Sequence, residues 1–258
     1  MRFFVGFDDT DTLDAGRGTG KIARWFEAAL PGGCRCFGVV RHQLLVHPSI
    51  PYTSHNSSAC VVVEAPGASL RDALVEAASA HLAAHFIEGS DPGLCVAAES
   101  DVSLPALVEH GLACTRRVVT KAEAFSVAGE SHLSGHGGTD EGLIGAAAAV
   151  GLTAWGWSGR FIAWGSLRDL GTETTVSVLR GEGVHVVSLD RDGGVPDLDD
   201  RVLTGGWIRP RLWAGRPVLP LVPLEKGAWQ VLDSKERKDP DRQAKTGGTS
   251  IGPARRRL

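Results

Sequence analysis

The sequence predicts an α+β fold. The first half reads as a ferredoxin-like β-α-β-β-α-β unit extended by helices and a glycine-rich loop-helix; a smaller β-rich part follows. Three observations carry this. Strand-length apolar runs at 3–7, 34–41, 58–64 and 93–98 alternate with helix-period segments at 20–30 and 69–86, in the order strand-helix-strand-strand-helix-strand. An alanine-rich segment at 143–150 follows the glycine-rich stretch 134–142. Beyond residue 153 short alternating segments dominate, and most of the seven tryptophans fall there.

Residues 3–7 are apolar and aromatic, as a buried strand requires. Over 20–30, Ile22, Ala23, Phe26 and Leu30 share one helix face, and Pro31-Gly32-Gly33 ends the helix. Cys60-Val61-Val62-Val63 is a continuous apolar run, suited to a strand covered on both faces. Ser69 is expected to cap the helix over 69–86, where Leu70, Leu74, Ala78 and Leu82 recur at spacing four. Asp91-Pro92 then precedes the strand at 93–98. Two helical pieces are expected at 104–110 and 120–127, and strands at 155–164, 174–179, 184–189 and 211–220, with the aromatic side chains mainly in the core. The domain reading is 1–165, then 166–233 as the β-rich domain, then a basic tail over 234–258 without fixed structure.

At 258 residues the chain can bury one large core or two modest ones. No apolar run approaches the roughly 20 residues of a membrane span. The chain opens directly into a strand, which predicts a cytoplasmic protein without a signal peptide or membrane partner. Five cysteines without a Cys-x-x-Cys pair read as reduced, buried thiols. The formal charge is −3, yet 234–258 holds eight bases and three acids, so the remainder carries −8. An acidic body is a poor nucleic-acid surface, and phosphate contacts would come from the tail.

The chemistry concentrates where the first strand ends, at Asp8-Asp9-Thr10-Asp11. Three carboxylates within four positions repel one another unless a cation neutralises them; Mg²⁺ suits hard oxygen ligands and usually arrives with phosphate. Gly16, Gly18 and Gly20 let backbone N–H groups approach an anion, and Thr19 and Lys21 open a helix whose N-terminal dipole favours negative charge. This reads as a nucleotide site; a solvated acidic turn with ordinary loop glycines is the plain alternative. It is no Walker A loop, because Ala15 and Ile22 stand where that motif needs Gly and Ser or Thr. Between the second and third strands, a loop over 46–58 holds two prolines and the only tyrosine. Pro51, Tyr52, His55 and Asn56 in it would face a ligand, or the loop is a rigid surface crossover. Gly137, Gly138 and Gly142 form either a second cradle or a plain loop before the alanine-rich helix.

Taken together, these stretches resemble one family, the archaeal isoleucine-tRNA 2-agmatinylcytidine synthetases. Gly6-Phe7-Asp8-Asp9-Thr10-Asp11 matches the family's Gly-hydrophobic-Asp-Asp-Thr-Asp, and Gly16 and Thr19 match its Gly-x-x-Thr turn. His47-Pro48-Ser49-Ile50-Pro51-Tyr52 meets its Asn-Pro-x-Ile-Pro-Tyr, and 142–151 meets its Gly-(Leu/Ile)-Ile-Gly-Ala-Leu-Ala-Ala-hydrophobic-Gly helix. The motifs come in the family's order, and the match extends loosely to about Val222.

The resemblance implies a kinase-like ATP and Mg²⁺ site, with Asp8, Asp9 and Asp11 holding metal. It implies that Thr19 sits at the phosphates and accepts a phosphoryl group, in a reaction that activates a cytidine carbonyl for displacement by agmatine. Thr53 and His55 depart from the family's Lys and Arg, and Thr139-Asp140-Glu141 is acidic where the family is basic. The family's oligonucleotide-binding barrel and zinc ribbon are expected to be missing. The expected function is an ATP- and Mg²⁺-dependent phosphotransferase or ligase acting on a small molecule or RNA, with an agmatine-like amine or RNA as acceptor and weak tRNA binding at most. A non-catalytic nucleotide- or RNA-binding module is the alternative.

Overall fold

The structure, a computed structural model, describes residues 1–12, 15–53 and 55–232. Strand β1 (Arg2–Asp8) separates two layers by the period of two that any strand imposes. Phe3, Val5 and Phe7 point into a core with Ile22, Ala23, Phe26, Leu74, Ala78 and Leu82. Those partners come from α1 (Thr19–Trp25), its 3-10 continuation Phe26–Ala29, and α2 (Arg71–His85). With β2 (Arg35–Gln43), β3 (Ser57–Glu64) and β4 (Gly93–Ala98) the sheet runs β4-β1-β3-β2, each neighbouring pair antiparallel.

The opposite face of β1 carries α5 (Gly142–Trp155), reached through α3 (Leu104–Cys114), α4 (Lys121–Ala128) and the edge strand β5 (His132–Gly135). Phe4 packs there with Ala146, Ala147 and Val150. The small residues of α5 have a steric cause: a side chain at Gly6 would overlap the Ala146 carbonyl, and one at Gly145 would overlap the Asp8 carboxylate. Close approach places the N-terminal turn of α5 beside the end of β1.

Strand β6 (Arg160–Ala163) pairs with β2 and continues the sheet. Beyond it lie β7 (Glu173–Thr175), α6 (Val176–Gly181), β8 (His185–Ser188), β9 (Arg201–Leu203), β10 (Arg211–Trp213), β11 (Arg216–Glu225) and β12 (Ala228–Val231). The full order is β5-β4-β1-β3-β2-β6-β10-β11-β12-β9-β7, with β8 on β11. Among the described residues only β8–β11 and β12–β9 are parallel. Six α-helices and this mostly antiparallel sheet, again among the described residues, make the fold α+β. A second core gathers Val176, Leu179, Val202, Leu219, Leu221 and Trp229.

Several local expectations are corrected. Ser69 caps nothing: it lies inside a 3-10 turn, Ala68–Leu70, and α2 begins at Arg71. Residues 174–179 are mostly helix, because the Thr175 hydroxyl accepts the Val178 N–H at 3.4 Å and starts α6. Residues 211–220 form a hairpin, turned by Ala214 and Gly215 at φ 51° and 70°. Residue 155 ends α5, where left-handed Gly156 stops the helix, and the strand expected from there begins only at Arg160. Of the tryptophans only Trp229 is buried; Trp155 and Trp157 are exposed and Trp164, Trp207 and Trp213 half-buried. All five cysteines are free, with Cys34 and Cys36 only half-buried. Among the described residues no helix is long and apolar enough to cross a membrane. The tail at 234–258 lies outside the described residues.

Candidate functional site

Where β1 ends, Asp9 takes a left-handed conformation at φ 49°, unusual for a residue with a side chain. The chain then turns back so that Thr10, fully buried, meets the first residue of α1. The Thr10 hydroxyl donates to Thr19 Oγ1 at 3.1 Å, and the Thr10 N–H approaches the same oxygen at 3.5 Å. Gly18, not Thr19, is the N-cap of α1, and no side chain caps that helix. Thr19 is therefore free of a capping duty, which leaves its hydroxyl to other work.

These residues form one wall of a cavity of about 390 Å³. Asp8, Asp9, Asp11 and Thr19 stand on one side. The loop with Ser49, Ile50, Pro51, Tyr52, Thr53, His55, Asn56 and Ser57 closes over them. Cys114 and the link Arg117-Val118-Val119-Thr120-Lys121 form another wall with Leu44, and Glu141, Gly142, Ile144 and Gly145 complete the enclosure at the start of α5. The loop is held in shape by its own bonds: the Asn56 amide donates to the Leu45 carbonyl at 2.6 Å, and His47 Nδ1 meets the Ser49 hydroxyl at 2.8 Å. Thr53 donates to Asp11 Oδ2 at 3.4 Å and ties the loop to the acidic wall.

The electrostatics are divided. Burial, then repulsion from Asp9 and Asp11, holds the Asp8 carboxyl well above its usual range, although a backbone hydrogen bond from Asp9 opposes this. Burial pushes Asp9 up to about 6, with Asp91, Asp11 and Glu141 adding repulsion. Asp11 is raised by burial and eased by hydrogen bonds from the Thr53 hydroxyl and the Thr19 N–H. Opposing them are Arg117, paired with Glu123 at 2.6 Å, and Lys121, which donates to the Thr139 carbonyl at 2.5 Å. The N-termini of α4 and α5 also open toward the cavity, so backbone dipoles add positive potential.

Among the described residues no group of three or more His, Cys, Asp or Glu side chains is arranged to hold a metal ion alone. The acidic wall nevertheless fits Mg²⁺, which usually takes one or two carboxylates and completes its shell with waters and substrate phosphates. Buried, mutually repelling carboxyls are the environment that a hard divalent cation relieves.

Of the residues singled out from sequence, Asp8, Asp9, Asp11, Thr19, Pro51, Tyr52, His55, Asn56 and Gly142 line the cavity together. Gly16, Gly18, Gly20, Lys21, Gly137 and Gly138 are not part of its lining. Gly18 lies against the Asp11 carboxylate, Gly20 packs under Ile162, and Gly16 has open space around it. Lys21 turns outward, its ammonium 5.1 Å from the Trp25 ring centroid. Gly138 backs onto the Asp91 carboxylate, which accepts both the N–H and the hydroxyl of Thr139 at 2.6 Å. That second glycine loop thus already seats an anion from its own chain. Sequence reading missed the Arg117–Lys121 wall, although Thr120-x-x-Glu123 is a legible capping box and Arg116-Arg117 a legible basic pair.

No protein-family model and no curated protein matches the chain. Solved structures do. The chain aligns with a tRNA fluorescent labeling enzyme at TM-score 0.50 and 28% identity, covering 58% of this chain and 36% of that one. A complex of TiaS with an isoleucine tRNA and ATP gives the same TM-score, identity and coverages. Apo TiaS, a tRNA agmatidine synthetase, aligns at TM-score 0.49 and 26% identity, over 58% of this chain and 35% of that one. The chain therefore has a TiaS-like core fold and spans about a third of the length of those chains.

Proposed function

We propose that the chain is an ATP- and Mg²⁺-dependent phosphotransferase or ligase with a kinase-like site, acting on RNA or a small molecule such as an agmatine-like amine. One observation carries the reading: three carboxylates and the Thr19 hydroxyl share a cavity with Arg117, Lys121 and the first turn of α5. Acids on one side and cationic groups on the other suit a metal–polyphosphate ligand. The TiaS complex with tRNA and ATP, whose core this chain resembles, supports the same reading.

Each group has a physical role in this scheme. Asp8, Asp9 and Asp11 would supply the one or two carboxylates that hold Mg²⁺ together with phosphate and water, and the metal would supply charge neutralisation at the phosphates of ATP. Arg117 and Lys121 would take phosphate oxygens, and Leu44, Ile50, Val118 and Val119 offer an apolar bed for the base. The Thr19 oxygen accepts from the Thr10 hydroxyl and faces the Thr10 N–H; these donors would stabilise negative charge on it were it to attack the γ-phosphorus, with the β,γ-bridging bond breaking, ADP leaving and the hydroxyl proton passing to the Asp11 carboxylate beside it. Positioning and charge neutralisation would carry the transfer to the Thr19 oxygen.

In the same reading, residues 1–165 are the catalytic region and 166–233 the smaller domain, supported by their separate cores. The order β4-β1-β3-β2, with α1 and α2 on one face, supports a ferredoxin-like unit within the first. Thr53 and His55, in place of Lys and Arg, favour the competing reading of a non-catalytic nucleotide- or RNA-binding module. Calorimetric titration of ATP with and without Mg²⁺ on the intact chain and on Asp11→Asn tests the proposal. Binding that needs Mg²⁺ and collapses in Asp11→Asn supports it; equal affinity in every arm refutes it. Mg²⁺-dependent binding without turnover of any acceptor would favour the non-catalytic module.

A further inference from the structure

Strand β5 is an edge of the sheet, hydrogen-bonded among the described residues to β4 alone. Its alternation packs Leu133 toward the core beside α5 and sets His132 and Ser134 on the other face, with His136 one step past the strand's end. His132 Nε2 lies 2.8 Å from the Ser134 hydroxyl oxygen, and His136 Nε2 lies 2.9 Å from it. A hydroxyl has one proton, so it donates to one ring and accepts an N–H from the other. Burial lowers the pKa of both rings, which keeps each a neutral base at pH 7. The Asp140 carboxylate opposes that shift at His136, so charge is better tolerated on His136. A side chain at Gly135 would overlap this carboxylate; the glycine between Ser134 and His136 is what admits it. Asp140 itself holds a left-handed backbone at φ 60°, a costly conformation for a residue with a side chain. Holding a strand edge needs neither the carboxylate nor the strain that brings it there. Ser134, His132 and His136 are all half-buried, and none of them lines the acidic cavity.

We propose that Ser134 is a nucleophile with His136 as its general base, a second reactive site that takes the acyl group of small activated esters. A serine and a base within hydrogen-bond reach, the base beside a carboxylate, is the arrangement that activates serine on unrelated folds. As Ser134 Oγ bonds to the acyl carbon, its proton passes to His136 Nε2 and from there to the departing alkoxide. Water then attacks the acyl carbon and gives a proton to His136, which returns it to Ser134 Oγ as the carboxylic acid leaves. The His132 N–H, directed at the same oxygen, orients it for attack. Asp140 is a positioning residue, favouring the imidazolium that forms on His136. A sheet edge offers little to grip a long substrate, which suits small esters with good leaving groups rather than peptides. This site stands on its own geometry and does not depend on the phosphoryl-transfer reading.

The test exposes the full chain to an alkyl fluorophosphonate, which phosphonylates activated serines with loss of fluoride, and separately to p-nitrophenyl acetate with an acid quench. Peptide mass spectrometry then locates the phosphonyl or acetyl group. Both reagents should mark Ser134, and neither should mark that peptide in Ser134→Ala. His136→Gln should slow labelling about a hundredfold, the contribution of one general base. His132→Gln should slow it less, because Asp140 favours His136 as the group that takes the proton. His132 and Asp140 are the charged neighbours of His136, so Asp140→Asn removes the negative one and should move the pH midpoint of labelling downward. A purely structural Asp140 would leave that midpoint in place. No label on Ser134, or label on Ser134 at an unchanged rate in His136→Gln, would overturn the proposal. Greater loss in His132→Gln than in His136→Gln would overturn the assignment of the base. If Ser134→Ala does not fold, the labelled peptide of the intact protein and the rates in His136→Gln decide.

Discussion

The Thr10 hydroxyl donates to Thr19 Oγ1 across 3.1 Å, joining the end of the acidic turn to the first residue of α1. Because Gly18 holds the N-cap position, removing the Thr19 hydroxyl forfeits a hydrogen bond rather than a cap. Thr19→Ala should therefore cost only about 1 kcal/mol of stability while abolishing phosphoryl transfer. Thr19→Ser should keep both. Thr10→Val should fold and slow transfer, since it removes a donor from the oxygen proposed to attack. Melting curves and turnover on the same preparations separate the two effects; a Thr19→Ala protein with normal turnover would remove Thr19 from the chemistry.

Asp9→Asn should stabilise the metal-free protein at pH 7.5 while weakening Mg²⁺-dependent ATP binding. The Asp9 pKa is raised from 3.8 to about 6, so its cost is absent below the lower value and fully present above the higher one. Neutral Asn avoids that cost and tolerates the left-handed backbone at φ 49°. After allowance for partial exposure the gain is about 1–2 kcal/mol, or several degrees of melting temperature. Thermal denaturation without metal at pH 7.5 and pH 4 checks this: the variant's advantage should shrink at the lower pH.

Gly145→Ala tests why α5 lies so near β1. Its added methyl would overlap the Asp8 carboxylate, so either the helix shifts or Asp8 turns away. The expected result is a loss of about 1–3 kcal/mol of stability together with weakened ATP binding. The same substitution at Gly16, which has open space around it, should leave ATP affinity unchanged. Urea titrations and calorimetry on both variants make the comparison.

Buried His42 bridges the sheet and α5, its Nε2 2.8 Å from the Thr153 hydroxyl. Burial pushes its pKa down from 6.5 to about 3. Between those values the unfolded chain binds a proton that the folded chain refuses, so this contribution is present above pH 6.5 and is lost as pH falls toward 3. The limiting slope is about 1.4 kcal/mol per pH unit. Asp9 acts in the opposite direction over part of that range, so the useful quantity is the difference between the intact protein and His42→Gln. That difference in unfolding free energy should narrow steadily from pH 7 to pH 5.

The part of the candidate cavity legible in the sequence is its contiguous part. Asp8 to Asp11 and Thr19 announce themselves by charge density and glycine spacing, and the stiff, polar loop at 46–58 does lie over them. Lys21 misled because a helix beginning at Thr19 turns it outward onto Trp25. Gly137 and Gly138 misled because a glycine loop that can seat an anion can also be filled by its own chain, here by Asp91. Juxtaposition across the sheet is illegible for a different reason. Arg41, Arg160 and Arg211 are far apart in sequence, and only the pairing of β6 between β2 and β10 sets them side by side. The hairpin at 211–220 reads as one strand because Ala214 supplies a positive φ where sequence would look for Asn or Gly.

The most direct test of the central claim is to incubate the purified full chain with Mg²⁺ and ATP radiolabelled at the γ-phosphate, quench, and map any label by peptide mass spectrometry. The expected result is transient label on Thr19, absent without Mg²⁺ and absent from Thr19→Ala and Asp11→Asn. Label on another residue, or label on Thr19 that persists without metal, would contradict it.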